Sequence, residues 1–270
     1  MLTALGTVGR IRSMRTVFLA DAHLRYPDDT GYRLLLRFLD QLQGATDMLC
    51  ILGDLFDFRV GLPALAFAEQ EPVLAALRRL SDGGVRIVYL EGNHDFQLGS
   101  AFARQIGAEL YSRPVTLELD GKRVYLCHGD LVNPADWRYR LLYLVLRSRL
   151  TLLGARLVPA GLVLGVRSRL QRTSRKRYRT NRQRWNYAAI IRRFAAARRS
   201  AGDDAVVLGH FHLPFLDQEP DFTLLSLGDW DERLSYGLLD GGKFSLCSFS
   251  ATPDPSPVPA VSPEQQPAPP

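Results

Sequence analysis

Cysteine and histidine are scarce in this chain, with 3 and 5 residues among 270. Cys50, Cys127 and Cys247 each sit inside an apolar run, and no Cys-x-x-Cys pair exists. That excludes a disulfide framework and a thiolate zinc site, and points to buried free thiols in a reducing cytoplasm. Long uninterrupted apolar runs are also missing. The most apolar stretch, Leu141–Val166, is broken by Arg147, Arg149, Arg156 and Pro159, which is too interrupted for a membrane span. No signal peptide is expected, because Arg10 and Arg12 follow the first apolar residues instead of preceding a long apolar core. Acidic residues nearly vanish between Asn133 and Ser200, where 18 Lys/Arg face one acid, Asp136. The rest of the chain holds 16 basic and 27 acidic residues, so an acidic body carries one basic segment. Such asymmetry suits an anionic partner: a phosphate-bearing substrate, a nucleic acid or an anionic membrane surface.

What remains is ordinary for a globular protein, with 46% apolar and 23% charged residues. Residues 1–13 read as a dispensable or non-native extension, with Met14 the expected natural start before a first strand. Ala251 to Pro270 contains 8 of the 16 prolines and is expected to be a disordered tail. Between them, β-branched runs recur at Thr16–Ala20, Met48–Leu52, Val85–Leu90, Val115–Leu119, Val124–Cys127, Ala205–Leu208, Phe222–Leu227, Tyr236–Leu239 and Phe244–Phe249. Helical periodicity marks Tyr32–Leu42, Ala64–Leu80, Ala101–Ile106, Tyr139–Leu150 and Trp185–Arg199. The first half reads β-α-β-α-β, and the later strands read as mostly antiparallel. The expected fold over 14–250 is therefore an α/β sandwich of two sheets covered by helices, with a helical insertion at about 133–200.

All five histidines fall at the ends of predicted strands, within three residues of Asp, Gly or Asn. Asp21-Ala22-His23 follows the first strand, and residues i and i+2 of an extended chain project to one side, so both can bind one metal ion. Gly53-Asp54-Leu55-Phe56-Asp57 follows the second. The Asp54 carboxylate has two oxygens and can bridge two ions, while Asp57 can support the loop. In Gly92-Asn93-His94-Asp95 the Asn93 amide oxygen is a hard neutral ligand, His94 can contact a phosphoryl group, and Asp95 can hold the His94 ring in one tautomer. His128-Gly129-Asp130 and Gly209-His210-Phe211-His212 complete the set. Two imidazoles at i and i+2 suit Mn, Fe or Zn. There are enough N and O donors for two ions, and two ions about 3.5–4 Å apart can clamp the attacking and leaving oxygens of a phosphoryl displacement.

The order Asp-x-His, Gly-Asp-x-x-Asp, Gly-Asn-His-Asp, His-Gly-Asp, Gly-His-x-His resembles the calcineurin-like metallophosphoesterases over about residues 15–250. The resemblance implies a metallophosphoesterase-type sandwich of two mixed β-sheets flanked by helices, with the insertion as a cap. It implies that Asp21, His23, Asp54 and His212 hold one metal and that Asp54, Asn93, His128 and His210 hold the other. His94 would then assist the transition state or the leaving group, with Asp95 beside it in the catalytic machinery.

Three local features look more narrowly like the UDP-2,3-diacylglucosamine diphosphatases of lipid A synthesis. They are Phe18-Leu19-Ala20-Asp21-Ala22-His23-Leu24, Leu227-Gly228-Asp229-Trp230, and His128-Gly129-Asp130 followed by Asp136 and Tyr139. That family cleaves its UDP-linked acylated glucosamine to UMP and a diacylglucosamine 1-phosphate, typically with Mn. This chain departs from it at His94, where the best-known members carry Arg. The substrate contacts the resemblance implies are Asn93, His94, Asp136, Tyr139 and His210. Arg177, Asn181 and Arg184 on the basic segment are expected to meet the diphosphate or the glucosamine phosphate. The apolar, Arg-edged stretch of the cap would receive acyl chains or lie on the anionic inner face of the cytoplasmic membrane, making the protein cytoplasmic and peripheral. The alternatives are another phosphoester substrate, or nucleic acid along Arg167–Arg184, where Tyr178 and Trp185 could stack on bases. Long apolar flanks favour lipid over nucleic acid.

Overall fold

The computed structural model describes residues 14–62, 67–156 and 184–250. The proposed N-terminal extension, the Pro-rich tail, Arg177 and Asn181 lie outside them. Along the chain run β1 (Thr16–Leu19), α1 (Thr30–Leu42), β2 (Met48–Leu52), β3 (Arg59–Val60), α2 (Glu71–Asp82), β4 (Arg86–Leu90), β5 (Asp95–Phe96), α3 (Gly99–Ile106), β6 (Ala108–Tyr111), β7 (Val115–Leu119), β8 (Lys122–Cys127), α4 (Trp137–Leu146) and α5 (Arg149–Arg156). After them come α6 (Tyr187–Ser200), β9 (Ala205–Leu208), β10 (Phe215–Glu219), β11 (Phe222–Ser226), β12 (Ser235–Asp240) and β13 (Lys243–Ser248).

Two mixed sheets stack face to face. One has the order β13-β12-β1-β2-β4-β6 and the other β10-β11-β9-β8-β7. In the first, β1, β2, β4 and β6 are mutually parallel, and β12 and β13 close one edge antiparallel. Alternate residues of a strand face opposite ways, and the core divides accordingly. Val17, Leu19, Leu49, Ile51, Ile87 and Tyr89 pack outward under α1, α2 and α3. Phe18, Cys50, Leu52 and Val88 point inward and meet Leu126, Val207 and Leu225 of the other sheet. Val206, Leu208 and Leu224 line that sheet's far face, covered by Ile191 and Ala195 of α6. The result is an α/β sandwich of two sheets flanked by helices, carrying a helical insertion. Strands buried on both faces read as continuous apolar runs, which is why they are conspicuous in the sequence.

The details differ in three places. The second sheet is less antiparallel than its sequence suggests: β8 pairs parallel with β9, and β9 parallel with β11. The connection from β8 to β9 is the long helical insertion, and such crossovers join parallel strands. The helix expected from Ala64 begins, within the described residues, as a 3₁₀ turn at Ala68–Gln70 and becomes α2 at Glu71. Pro72, which lacks an N–H, sits in its first turn where none is needed. The single helix expected over Tyr139–Leu150 is two, because Ser148 caps a new start, its hydroxyl accepting from Thr151 N–H at 3.0 Å.

Candidate metal centre

The ligand-bearing turns follow the carboxyl ends of β1, β2 and β4 in one sheet and of β8 and β9 in the other. That end of parallel strands is where open α/β sheets bind ligands. The turns are cross-stitched. Asp21 N–H donates to Gly53 O at 3.2 Å, His23 N–H to Asp54 O at 2.9 Å, and Gly209 N–H to His128 O at 2.9 Å. Gly53 and Gly92 stand back to back, and a Cβ on Gly53 would lie 2.6 Å from Gly92 Cα. A Cβ on Gly92 would strike the Asp54 carboxylate.

Five of the predicted ligands have left-handed backbones: Asp21 (φ 54°), His23 (45°), Asp54 (54°), His210 (72°) and His212 (49°). Each such residue costs on the order of 1–3 kcal/mol, and the cost persists only where surrounding structure fixes it. The turns are thus held in conformations that aim these side chains inward.

Two groups of donor atoms result. In the first, His23 Nε2 and His212 Nε2 are 3.3 Å apart, and Asp21 Oδ1 lies 3.8 and 3.6 Å from them. In the second, His128 Nε2 lies 2.9 Å from Asn93 Oδ1, 3.2 Å from His210 Nδ1 and 3.4 Å from Asp54 Oδ2. Bonds of about 2.0–2.2 Å to one cation place neighbouring ligands roughly 2.9–3.6 Å apart, close to this spacing. Asp21 Oδ1 is buried and accepts no hydrogen bond, a costly arrangement that a cation relieves. His128 Nδ1 donates to Leu52 O at 2.8 Å, which leaves the Nε2 lone pair for a metal. The donor set, mixed imidazole, carboxylate and amide oxygen, therefore fits divalent ions.

Electrostatics agree for two of the imidazoles. Burial holds the His23 and His210 imidazoles well below their ordinary value, so both are neutral, the ligating form. Burial pushes the Asp21 carboxyl up to about 6. Burial would also raise Asp54, but His128 and His94 outweigh it and hold that carboxyl well below the usual range. Burial would lower His128, but Asp54 overrides it and raises this imidazole well above its usual value.

The other predicted residues divide. His94 stands at the first group, its ring 4.9 Å from that of His23. Its Nδ1 donates to Asp57 O at 2.8 Å, not to Asp95. The Asp95 carboxylate is fully buried and points away, taking the main-chain N–H groups of Asp54, Leu55 and Gly92 at 3.0, 2.7 and 2.9 Å. It acts as a brace for two ligand turns and is too committed to orient an imidazole. Asp57, also buried, faces Arg25 Nε at 3.3 Å. Tyr139 sits at the rim with its ring 6.4 Å from His210 and its hydroxyl donating to Asp130 at 2.6 Å. Asp136 is the N-cap of α4, accepting from Tyr139 N–H at 3.1 Å. Arg184 is exposed, its guanidinium 5.5 Å above the Trp185 ring. In Leu227-Gly228-Asp229-Trp230, the buried Trp230 donates its main-chain N–H to Asp21 O at 3.2 Å, so this motif supports the first turn. Arg147, one of the arginines that interrupt the cap's apolar stretch, is turned inward onto Glu91 and Gly92. Nothing in the sequence around Glu91 signals that contact.

A sequence profile of the calcineurin-like phosphoesterases matches residues 14–214. The chain belongs to that family. It is also closely related to the UDP-2,3-diacylglucosamine hydrolases of several Pseudomonas species. The Pseudomonas paraeruginosa protein of that name is 35% identical over 229 residues, 82% of this chain and 92% of the relative. That of Pseudomonas savastanoi pv. phaseolicola is 34% identical over 88% of this chain and 97% of its own. That of Ectopseudomonas mendocina is 32% identical over 88% and 99%. As a calcineurin-like phosphoesterase with its donor atoms gathered in this way, the protein is a metal-dependent hydrolase.

Proposed function

We propose that the protein hydrolyses the pyrophosphate of UDP-2,3-diacylglucosamine, giving UMP and 2,3-diacylglucosamine 1-phosphate for lipid A synthesis. The observation that carries the substrate is α4. This helix starts one turn after the His128 loop and buries none of its residues. Trp137, Leu141, Leu144 and Val145 are more than half exposed on this helix, whose Tyr139 ring lies 6.4 Å from that of His210. A water-soluble ester needs no such surface, whereas acyl chains do. The relatives named for this substrate support the same reading.

Asp21, His23 and His212 would hold one divalent ion, and Asn93, His128 and His210 the other, with Asp54 between them. Mn fits this donor set, as do Fe and Zn. When bound, the ions supply Lewis acidity and an activated water. The chain's own groups do the rest. His94, fixed through its Nδ1–H by Asp57 O, presents Nε2 to the phosphoryl and, in its doubly protonated form, would give the Nε2 proton to the leaving oxygen. Asn93 and His210 stand at the substrate edge. Asp136 sets the start of α4, and Tyr139, locked to Asp130, forms the rim on the cap side. Arg184, with Arg177 and Asn181 outside the described residues, supplies the basic segment for the phosphates.

No helix among the described residues is long and apolar enough to cross a membrane. The exposed α4 and α5 residues, followed in sequence by a cationic segment, suit docking on the anionic inner face of the membrane, a peripheral cytoplasmic placement. The nucleic-acid reading rests on a segment that lies mostly outside the described residues.

The test is UMP release from UDP-2,3-diacylglucosamine by the purified protein with Mn and detergent. Fast release abolished by chelator is expected. Chelator-sensitive cleavage of a generic phosphodiester without UMP release would leave a phosphoesterase of another substrate class.

A further inference from the structure

Arg147 lies at the carboxyl end of α4, and its side chain is only 13% exposed. It makes one ionic and two main-chain contacts. One terminal nitrogen is 2.6 Å from Glu91 Oε2 and donates to Ser112 O at 3.2 Å. The other donates to Gly92 O at 2.7 Å. The guanidinium lies 4.6 Å over the Tyr143 ring and 5.7 Å from that of Phe96. Glu91 is equally committed, since its Oε1 accepts from Leu98 N–H at 2.8 Å and its side chain is 3% exposed. A second tie runs beside it, from Gln97 Nε2 to Leu146 O at 3.0 Å.

The position of this clamp matters more than its strength. Gly92 immediately precedes Asn93 and His94, and its Cα face is pressed on the Asp54 carboxylate and on Gly53. A shift of the Gly92 carbonyl therefore moves Asn93, His94 and the bed of Asp54 together. We infer that Arg147 is a positioning residue of the hydrolytic site: it pins the Gly92 turn and thereby ties the geometry of Asn93, His94 and Asp54 to the seating of α4. A cap displaced from the body releases the turn, so the site is fully formed only with the cap in place. This inference rests on the ligand assignment above but not on the lipid substrate.

The experiment uses the full chain, with Mn and a small aryl phosphodiester as probes. Arg147→Lys keeps a charge for Glu91, but a lysine cannot span a carboxylate and a carbonyl as a planar fork does. Arg147→Ala removes the fork outright. The expected result is Mn affinity of the metal-free protein lowered about tenfold in both variants. The kcat per metal-loaded enzyme should fall about thirtyfold with KM nearly unchanged, and guanidinium ion should restore part of the kcat of Arg147→Ala. A purely structural role would lower Tm alone. Mn affinity and kcat within twofold of the native protein would overturn the inference. If Arg147→Ala does not fold, Arg147→Lys decides. Both readouts are independent of lipid, so a protein that never cleaves UDP-2,3-diacylglucosamine still answers the question.

Discussion

Tyr89 donates its hydroxyl to the Asp95 carboxylate at 2.6 Å, and both side chains are completely buried. The remaining donors to Asp95 are main-chain N–H groups of the two turns that carry Asp54 and Asn93. Removing the phenol alone, as Tyr89→Phe, should cost about 1.5–3 kcal/mol, the range for a hydrogen bond to a charged group. Urea unfolding measures it, and Mn content should stay unchanged. Asp95→Ala, which orphans several buried N–H groups, should lose both stability and metal.

Asp54→Ala should lose at least one ion and lower activity by about a thousandfold or more. Elemental analysis of the purified variant beside its turnover checks both. Two ions with full activity would remove Asp54 from the centre.

His94→Gln should keep both ions and lower kcat by about 10²–10⁴, the usual yield of a positioned acid or base. Loss of metal instead would make His94 a ligand, in keeping with its place near His23 and Asp57.

Proton and metal compete for Asp21. Its carboxyl is pushed from 3.8 up to about 6 by burial, so below that pH a proton occupies the oxygen that a cation needs. Affinity for Mn should be nearly flat above about pH 6 and fall by about a decade per unit below it from this group alone. Mn isotherms at about pH 5 and about pH 7.5 read the difference. Unchanged affinity would exclude Asp21 as a ligand.

Leu141→Ser and Leu144→Ser alter residues that are 56% and 66% exposed. Stability should move by no more than about 0.5 kcal/mol, as for ordinary surface changes. Turnover of UDP-2,3-diacylglucosamine in anionic vesicles should fall severalfold, while turnover of a small aryl ester stays level. Equal turnover of both substrates would detach α4 from lipid recognition.

Much of this was legible because two-sided burial writes itself as apolar runs and because five of those runs are followed directly by a ligand turn. Thr16–Leu19, Met48–Leu52 and Ala205–Leu208 show it most plainly. β6, Ala108–Tyr111, left no such trace. It is an edge strand with no fully buried residue, and Glu109 faces solvent. β5 is two residues long and formed by Asp95 and Phe96, too short for any periodicity to declare itself. Adjacency in sequence also misled. Asp95 follows His94 directly, yet the partner of the His94 ring is the Asp57 carbonyl, 37 positions earlier. The pairing of Arg147 with Glu91, 56 positions apart, depends on how the insertion folds back, which no local pattern encodes.

The donor atoms come from turns of both sheets: Asp21, His23, Asp54 and Asn93 from one, and His128, His210 and His212 from the other. Ions held there fasten two layers that otherwise meet mainly through apolar side chains such as Phe18, Leu126 and Val207 and through a few hydrogen bonds such as that of His128 Nδ1 to Leu52 O. Chelation should therefore loosen more than the catalytic turns. Backbone amides at the carboxyl ends of β1 and β9 should exchange with solvent faster in metal-free protein, while the far ends of the same strands, remote from the fastening, keep their protection.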